Sequence, residues 1–183
     1  MASISSYGLF WRRDDVIWTR DDLDDDDEFE GPFKFLMVGK IGEKKPKLRM
    51  CDFRFQQGIY ILYDEYGPVY VGLAGRRKSG EALGQRLKEH LTDSHQDTWS
   101  RYSWFGFDPI RETNSEVVCS VDTSATNVIE QDTAVSSTIR DTEALIMHIV
   151  MPQNNRSSIT RFKTGREWYQ LQRHEISNYL GYL

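Results

Sequence analysis

The chain has 183 residues, of which 39% are hydrophobic and 13% aromatic; this is enough for one core-forming domain with an extension. No apolar run reaches about 18 residues, the length of a membrane-spanning helix. The first residues, MASISSYGLFWRRDD, lack a basic stretch followed by a long apolar one. We therefore expect a cytoplasmic protein with no membrane partner and no secretory signal.

Charge is distributed unevenly along the chain, whose net charge is −5. Residues 14–30 hold ten of the 28 acidic residues and one of the 23 basic residues. The remainder has 18 acids against 22 bases, a net charge of +4. That asymmetry is compatible with contact between nucleic acid and the main part of the chain.

The two cysteines, Cys51 and Cys119, do not belong to a C-x-x-C pair. Zinc sites built from cysteine use paired ligands at short spacing, so the sequence predicts no zinc site. We expect two reduced thiols, as is usual in the cytosol, and nothing in the sequence favours a disulfide between them.

The first 50 residues form an N-terminal extension in this prediction. Residues 7–20 mix aromatic and charged side chains, which favours one or two short strands. Residues 21–27 are almost entirely Asp, and repulsion between like charges predicts an exposed loop there. Residues 33–41 (FKFLMVGKI) predict a further strand.

The middle of the chain predicts a β-hairpin followed by a helix and a strand. Residues 58–63 (GIYILY) and 69–73 (VYVGL) are apolar runs joined by the turn-forming residues DEYGP. Residues 81–92 repeat leucine at every fourth position, which predicts a helix. Residues 99–107 (WSRYSWFGF) indicate another strand.

The last third predicts an insertion and two helices. Residues 108–137 contain a plausible strand at 116–122 between polar stretches, which is typical of an insertion or long loop. Residues 138–151 return to a helical period that Pro152 ends. An amphipathic stretch at 166–179 predicts a C-terminal helix. The whole order indicates an α+β fold with a small, largely antiparallel sheet.

Two pairs of polar residues are candidates for chemistry. Tyr60 and Tyr70 lie one on each hairpin strand, where they would place two phenols side by side; singly, such tyrosines are packing residues in most cases. Arg86 and His90 are four residues apart and share one helix face beside the leucine stripe. They would lie at the rim of the buried face, where a cleft forms; the alternative is a solvated surface pair.

Glu143 interrupts an apolar helical stripe formed by Ile139, Ile146 and Val150. A carboxylate is rarely buried without a partner, and a bound cation or a buried Arg would supply one. The alternative is a Glu at the end of the stripe that reaches water. Beyond this helix, Asn155 lies in a predicted turn, where its amide can hydrogen-bond to backbone near a site.

In sequence order, these features resemble the motifs of the GIY-YIG nucleases over residues 56–156. The matching residues are Gly58-Ile59-Tyr60, Tyr70-Val71-Gly72, Arg86, His90, Glu143 and Asn155. The resemblance implies a nuclease domain at 51–160 with a small three-stranded antiparallel sheet flanked by helices. A β-containing extension at 1–50 would precede this domain, and the C-terminal helix would lie within 161–183.

The resemblance also implies an activity, the hydrolysis of phosphodiester bonds in DNA with one divalent metal, Mg²⁺ or Mn²⁺. By similarity, Glu143 would hold the metal and Arg86 would bind the scissile phosphate. Tyr60 would help to deprotonate the attacking water, either alone or through a relay to His90. The remaining catalytic positions are Tyr70, which would support the water or phosphate network, and His90 and Asn155.

Some features leave other functions open. The second tripeptide is YVG instead of YIG, and Leu73 follows it where several relatives carry Lys. The aromatic run Trp99, Tyr102, Trp104 and Phe105 would suit stacking on bases, so a nuclease of RNA or single-stranded DNA is an alternative. A non-catalytic module that binds nucleic acid or protein is another. A homo-oligomer, or a protein partner bound through the N-terminal extension, also stays open.

Overall fold

A computed structural model gives the fold. The residues that it describes are 4–19, 22, 35–44, 47–75, 82–112, 117–124, 145, 165–176 and 178–179. Within that part of the chain the strands are β1 (Ser6–Arg12), β2 (Val38–Ile41), β3 (Arg49–Asp52), β4 (Gly58–Tyr63), β5 (Pro68–Ala74), β6 (Arg101–Gly106), β7 (Ile110–Arg111), β8 (Val118–Val121), β9 (Arg166–Glu167) and β10 (Tyr169–Gln170). The helices are α1 (Leu83–Glu89) and α2 (Arg173–Ile176).

The strands form two five-stranded sheets. The first sheet has the order β5-β4-β6-β1-β9, and the second has the order β10-β2-β3-β8-β7. In the first sheet only the β1–β9 pair is parallel, and in the second only the β3–β8 pair is parallel. The hairpin β4–β5 supplies one edge of the first sheet, and β4 lies between β5 and β6.

Alternation of side chains along β4 explains why both faces of the first sheet are covered. Tyr60 and Leu62 point into the main core, whereas Ile61 and Tyr63 join a second apolar cluster. The main core combines residues of both sheets with Leu83 and Leu87 of α1; its largest fully buried rings are Trp104, Trp168, Tyr60, Tyr102 and Phe53. Aromatic packing between the sheets therefore fixes where β4 and α1 meet.

The sheet differs from the one expected. A small three-stranded antiparallel sheet was the prediction, and it is wrong, although the mixture of helix and strand is confirmed. Strand β1, from the N-terminal residues, pairs along β6, and β9 pairs with β1. An unpaired edge at β6 would leave backbone N–H and C=O groups without partners; β1 pairs with that edge, and β9 pairs with part of the next one.

The C-terminal helix predicted over 166–179 is also wrong in its first half, because residues 166–170 form β9 and β10. Trp168 and Leu171 are buried, and the amide of Trp168 donates to the carbonyl of Tyr7 at 2.7 Å. The amide of Leu171 donates to the carbonyl of Val38 at 2.9 Å. These bonds tie the segment to both sheets, which an isolated amphipathic helix could not do. Only Arg173–Ile176 is helical in this stretch.

The other predicted elements are confirmed where the structure describes them. They are the N-terminal strand, the strand ending near residue 41, the hairpin, α1, the aromatic strand and the strand near residue 120. The acidic stretch 21–27 is described only at Asp22, and 125–137 of the insertion lies outside the described residues. Of the helix predicted at 138–151, only Leu145 is described, and it is helical. The boundaries 1–50, 51–160 and 161–183 stay predictions.

Two smaller expectations concern the cysteines and the membrane. Cys51 and Cys119 are both free and buried, which confirms the expected thiols. They lie in register on the parallel strands β3 and β8, and burial raises the pKa of both thiols. Among the helices of the described residues, none combines the length and the apolar character that crossing a bilayer requires.

Gly58, at the start of β4, allows β4 and β6 to approach closely. A Cβ at this position would lie 1.9 Å from the carbonyl oxygen of Phe105, a backbone atom that cannot rotate away. Gly58→Ala is therefore expected to destabilise the fold by about 1–3 kcal/mol. Urea unfolding measures the change, and Gly67→Ala is the matched control because nothing lies within 4 Å of its added methyl. Equal stability of the two variants would contradict this packing.

Candidate active site

Tyr60 lies at the middle of the site, on β4, and its side chain is fully buried. It is in register with Gly72 of β5. A Cβ at residue 72 would lie 2.4 Å from both Cζ and Oη of Tyr60, so the ring passes over β5 where only a hydrogen atom fits. Gly72, the last residue of YVG, thus makes room for the phenol of the first tripeptide.

Three aromatic rings converge at the hydroxyl of Tyr60. That hydroxyl lies 2.7 Å from Nε2 of His90, a short hydrogen bond between β4 and the end of α1. Tyr70 is offset from Tyr60 by two residues in the hairpin register, and the two ring centroids are 6.0 Å apart. The Tyr70 ring lies 5.0 Å from the ring of His90. The two phenols therefore lie diagonally across the hairpin, and the ring of His90 lies beside both of them.

Helix α1 presents Arg86 and His90 to the hairpin because the adjacent leucine stripe is anchored in the core. Leu83 and Leu87 are buried, so residues one step around the helix point along the core boundary. His90 is only 6% exposed, which is deeper than the rim position expected for it. The side chain of Arg86 is 33% exposed and does lie at the rim.

Glu89 holds Arg86 on the helix. Its Oε2 accepts a hydrogen bond of 2.9 Å from Nη1 of Arg86, and the two residues are three apart on α1. This hydrogen bond is the largest cause of the raised pKa of Arg86, which therefore stays cationic. A guanidinium carries five N–H donors, so contact with Glu89 through Nη1 is compatible with contact to an oxyanion through the others.

Asp93 and His95, in the turn after α1, complete the cluster. Oδ2 of Asp93 lies 2.7 Å from Nδ1 of His90, and Oδ1 accepts from the amide of His95 at 2.8 Å. The His95 ring centroid lies 4.7 Å from that of Tyr70 and 5.3 Å from that of His90. The site therefore contains a continuous hydrogen-bonded chain from Tyr60 through His90 to Asp93.

Sequence reasoning missed Glu89, Asp93 and His95. Glu89 follows Arg86 by three residues and Asp93 follows His90 by three, a spacing that brings side chains together on a helix. That spacing was a usable signal for Glu89, which lies within α1, whereas Asp93 lies in the turn beyond its end. His95 lies in an irregular turn, for which the sequence holds no comparable signal.

Burial is the main influence on the chemistry of Tyr60. It raises the pKa of the phenol above its ordinary value, and Tyr70 and Glu89 raise it further, whereas the positive charge of Arg86 lowers it. At neutral pH the side chain is therefore a phenol with a proton to donate, and it needs an acceptor before it can take a proton from water. His90 is the hydrogen-bonded group in that position.

Glu143, the predicted metal ligand, and Asn155 lie outside the described residues. Within the described ranges, no group of three or more His, Cys, Asp or Glu side chains is placed to hold a metal ion. The acids beside Tyr60 and His90 are Glu89 and Asp93, and carboxylate oxygens are the ligands that Mg²⁺ prefers. Both carboxylates are already engaged, Glu89 by Arg86 and Asp93 by His90 and the His95 amide, so Glu143 stays the metal ligand that the resemblance implies.

The aromatic run proposed for base stacking belongs to the core. Trp99, Tyr102, Trp104 and Phe105 are each 4% exposed or less. Trp104 packs against Phe53 at 4.4 Å between ring centroids. These rings are part of the core and are not available to stack on bases.

Raising the pH above about 10, the ordinary pKa of tyrosine, is expected to destabilise the fold. The phenols of Tyr60, Tyr63 and Tyr102 have raised pKa values, so they keep their protons when folded and lose them when unfolded. Their contribution to stability is complete below that pH and is lost as the pH rises towards the folded-state pKa. Tyr60→Phe should reduce this pH dependence by up to ~1.4 kcal/mol per pH unit.

Urea unfolding at a series of alkaline pH values measures the effect of Tyr60→Phe. Tyr66→Phe is the matched control because Tyr66 is 95% exposed and should leave the pH dependence unchanged. An identical slope for the wild type and Tyr60→Phe would show that the Tyr60 phenol ionises as freely in the folded chain as in water.

Comparison with known proteins finds no relative of the chain. No family model, no curated protein and no solved structure matches the chain. The function of the site must therefore be argued from its own residues and their geometry.

Proposed function

We propose that the chain is a metal-dependent endonuclease that hydrolyses phosphodiester bonds in DNA, with a site of the GIY-YIG kind. The single observation that carries the proposal is the hydrogen bond of 2.7 Å between Tyr60 and His90, with Tyr70 and Arg86 beside it. These four side chains come from the hairpin and α1, and they are the ones that the resemblance nominated. Packing alone does not require a buried phenol, a histidine and an arginine together.

Each of these residues has a role that follows from the chemistry of the reaction. Negative charge develops on the phosphate oxygens during attack, and the guanidinium of Arg86 at the rim is a fixed cation that stabilises it. Tyr60 receives a proton from the attacking water as its own proton moves on to His90. Tyr70, whose ring lies next to both Tyr60 and His90, helps to orient the water and the phosphate.

The proposal includes a divalent cation, which Glu143 would bind. Mg²⁺ keeps most of its waters and needs few protein ligands, so one carboxylate is a sufficient anchor. When bound, such an ion supplies Lewis-acid stabilisation of charge on the phosphate oxygens. Asn155 is proposed to support this side of the site, as the resemblance implies.

DNA is the proposed substrate, and RNA and single-stranded DNA are tested beside it. The observation that favoured single strands, the run of aromatic residues, is accounted for by burial in the core. Cleavage rates on duplex DNA, single-stranded DNA and RNA of the same sequence distinguish the three. If RNA or single-stranded DNA is cleaved faster, that nucleic acid is the substrate instead of duplex DNA, and the proposed chemistry is unchanged.

The proposed activity predicts that purified protein nicks or linearises supercoiled plasmid when Mg²⁺ or Mn²⁺ is titrated in. Arg86→Ala and Glu143→Ala are each expected to lower the rate by at least about 10²-fold, as loss of a group that stabilises transition-state charge does. Tyr60→Phe should lower the rate by about 10²-fold or more, because it removes proton transfer. Gel separation of plasmid forms over time measures all three.

Matched variants control for general damage to the protein. Arg12→Ala removes an arginine whose side chain is 67% exposed, and Tyr66→Phe removes an exposed hydroxyl; both should cut at the wild-type rate. Undiminished cutting by Glu143→Ala would reject the metal assignment. Tight DNA binding without cleavage under any divalent ion would reject the enzyme and favour a non-catalytic binding module.

A further inference from the structure

Asp93 is held so that its carboxylate faces the ring of His90. Its Oδ1 accepts the amide hydrogen of His95 at 2.8 Å, and its Oδ2 lies 2.7 Å from Nδ1 of His90. The backbone of His90 is fixed as well, because its amide bonds to the Arg86 carbonyl and its carbonyl accepts from the indole of Trp99. The two side chains therefore meet in one defined geometry.

The geometry determines which nitrogen of the neutral His90 ring carries the proton. An ionised carboxylate accepts hydrogen bonds and cannot donate one, so Nδ1 must supply the hydrogen to Asp93. The hydrogen bonds from His95 and His90 lower the pKa of Asp93, more than desolvation raises it, so the carboxylate is ionised at neutral pH. Nε2 is then the unprotonated nitrogen, and it accepts the hydroxyl hydrogen of Tyr60.

We propose that Asp93 is a positioning residue for the nuclease reaction, which fixes His90 in the tautomer that accepts a proton from Tyr60. This inference rests on the proposed function. Asp93 does not touch the substrate in this account. It acts through His90, and its carboxylate also stabilises the positive charge that His90 acquires.

Protons move from the attacking water through Tyr60 to His90. The water oxygen forms a bond to phosphorus while its proton passes to Oη of Tyr60, and the phenol proton of Tyr60 passes to Nε2 of His90. The bond from phosphorus to the leaving oxygen breaks with its electron pair, and solvent protonates that oxygen. His90 is then an imidazolium whose hydrogen on Nδ1 stays bonded to that nitrogen and is donated to the Asp93 carboxylate, and the ring later releases the proton on Nε2 to solvent.

The charged and titratable groups around His90 come from three named elements and the turn after α1. They are Tyr60 of β4, Tyr70 of β5, Arg86 and Glu89 of α1, and Asp93 and His95 of the turn. Of these, Asp93 is the group in direct contact with Nδ1. Replacing Asp93 therefore tests what sets the tautomer of His90, because it changes only the partner of Nδ1.

Long-range ¹H–¹⁵N spectra of histidine-labelled protein test the proposal directly. The chain has four histidines, and His90→Gln assigns the signal of His90 by its disappearance. In the wild type at neutral to alkaline pH, we expect the neutral His90 ring to carry its hydrogen on Nδ1. In Asp93→Asn, we expect a shift towards the form with the hydrogen on Nε2, because an amide can donate to Nδ1. Asp97→Asn, an exposed Asp in the same turn, is the control and should retain the wild-type spectrum.

Cleavage kinetics separate a role in catalysis from a purely structural one. Asp93→Asn should lower kcat by about 10²-fold and leave KM close to the wild-type value, because Arg86 and the substrate contacts remain. A wild-type His90 with its hydrogen on Nε2, or an Asp93→Asn variant with wild-type kcat, would overturn the proposal. A wild-type protein that cuts no substrate would overturn the proposed nuclease itself, and the spectra would still decide whether Asp93 sets the tautomer of His90.

Discussion

The side chain of Tyr60 crosses from β4 over Gly72 to the end of α1, where its hydroxyl meets His90 at 2.7 Å. A buried phenol without a partner would be costly, so this bond joins the hairpin to the helix as well as forming the chemical centre. The rest of the site is arranged around it. Tyr70 lies beside both rings, and Asp93 holds the far side of His90.

The two sheets explain why such a polar bond can persist inside the protein. Aromatic side chains from both sheets fill the main core, and Leu83 and Leu87 fasten α1 to it. Strands β1 and β9 extend the sheet beyond β6, so the side of the sheet away from the hairpin is paired. The hairpin and α1 are thereby fixed relative to each other, as the proposed nuclease chemistry requires, because its groups must be placed precisely.

Local patterns in the sequence predicted the elements that carry the site. Two apolar runs joined by turn-forming residues predicted the hairpin, the leucine repeat predicted α1, and helical spacing placed Arg86 and His90 on one face. Pairing between distant segments was not predictable in this way, because alternation along β1 or β9 does not specify a partner strand. Residues 166–170 were predicted as helix because a short apolar pattern fits both periods. Asp93 was missed because its contact depends on the turn that follows α1.

Coupling between Tyr60 and His90 is the most direct test of this account. Cleavage rates of Tyr60→Phe, His90→Gln and the double variant form a double-mutant cycle. If the two side chains pass one proton between them, the double variant should be no slower than the slower single variant. Losses that multiply, so that each residue contributes independently, would contradict the central claim that the Tyr60–His90 hydrogen bond is the working unit of the site.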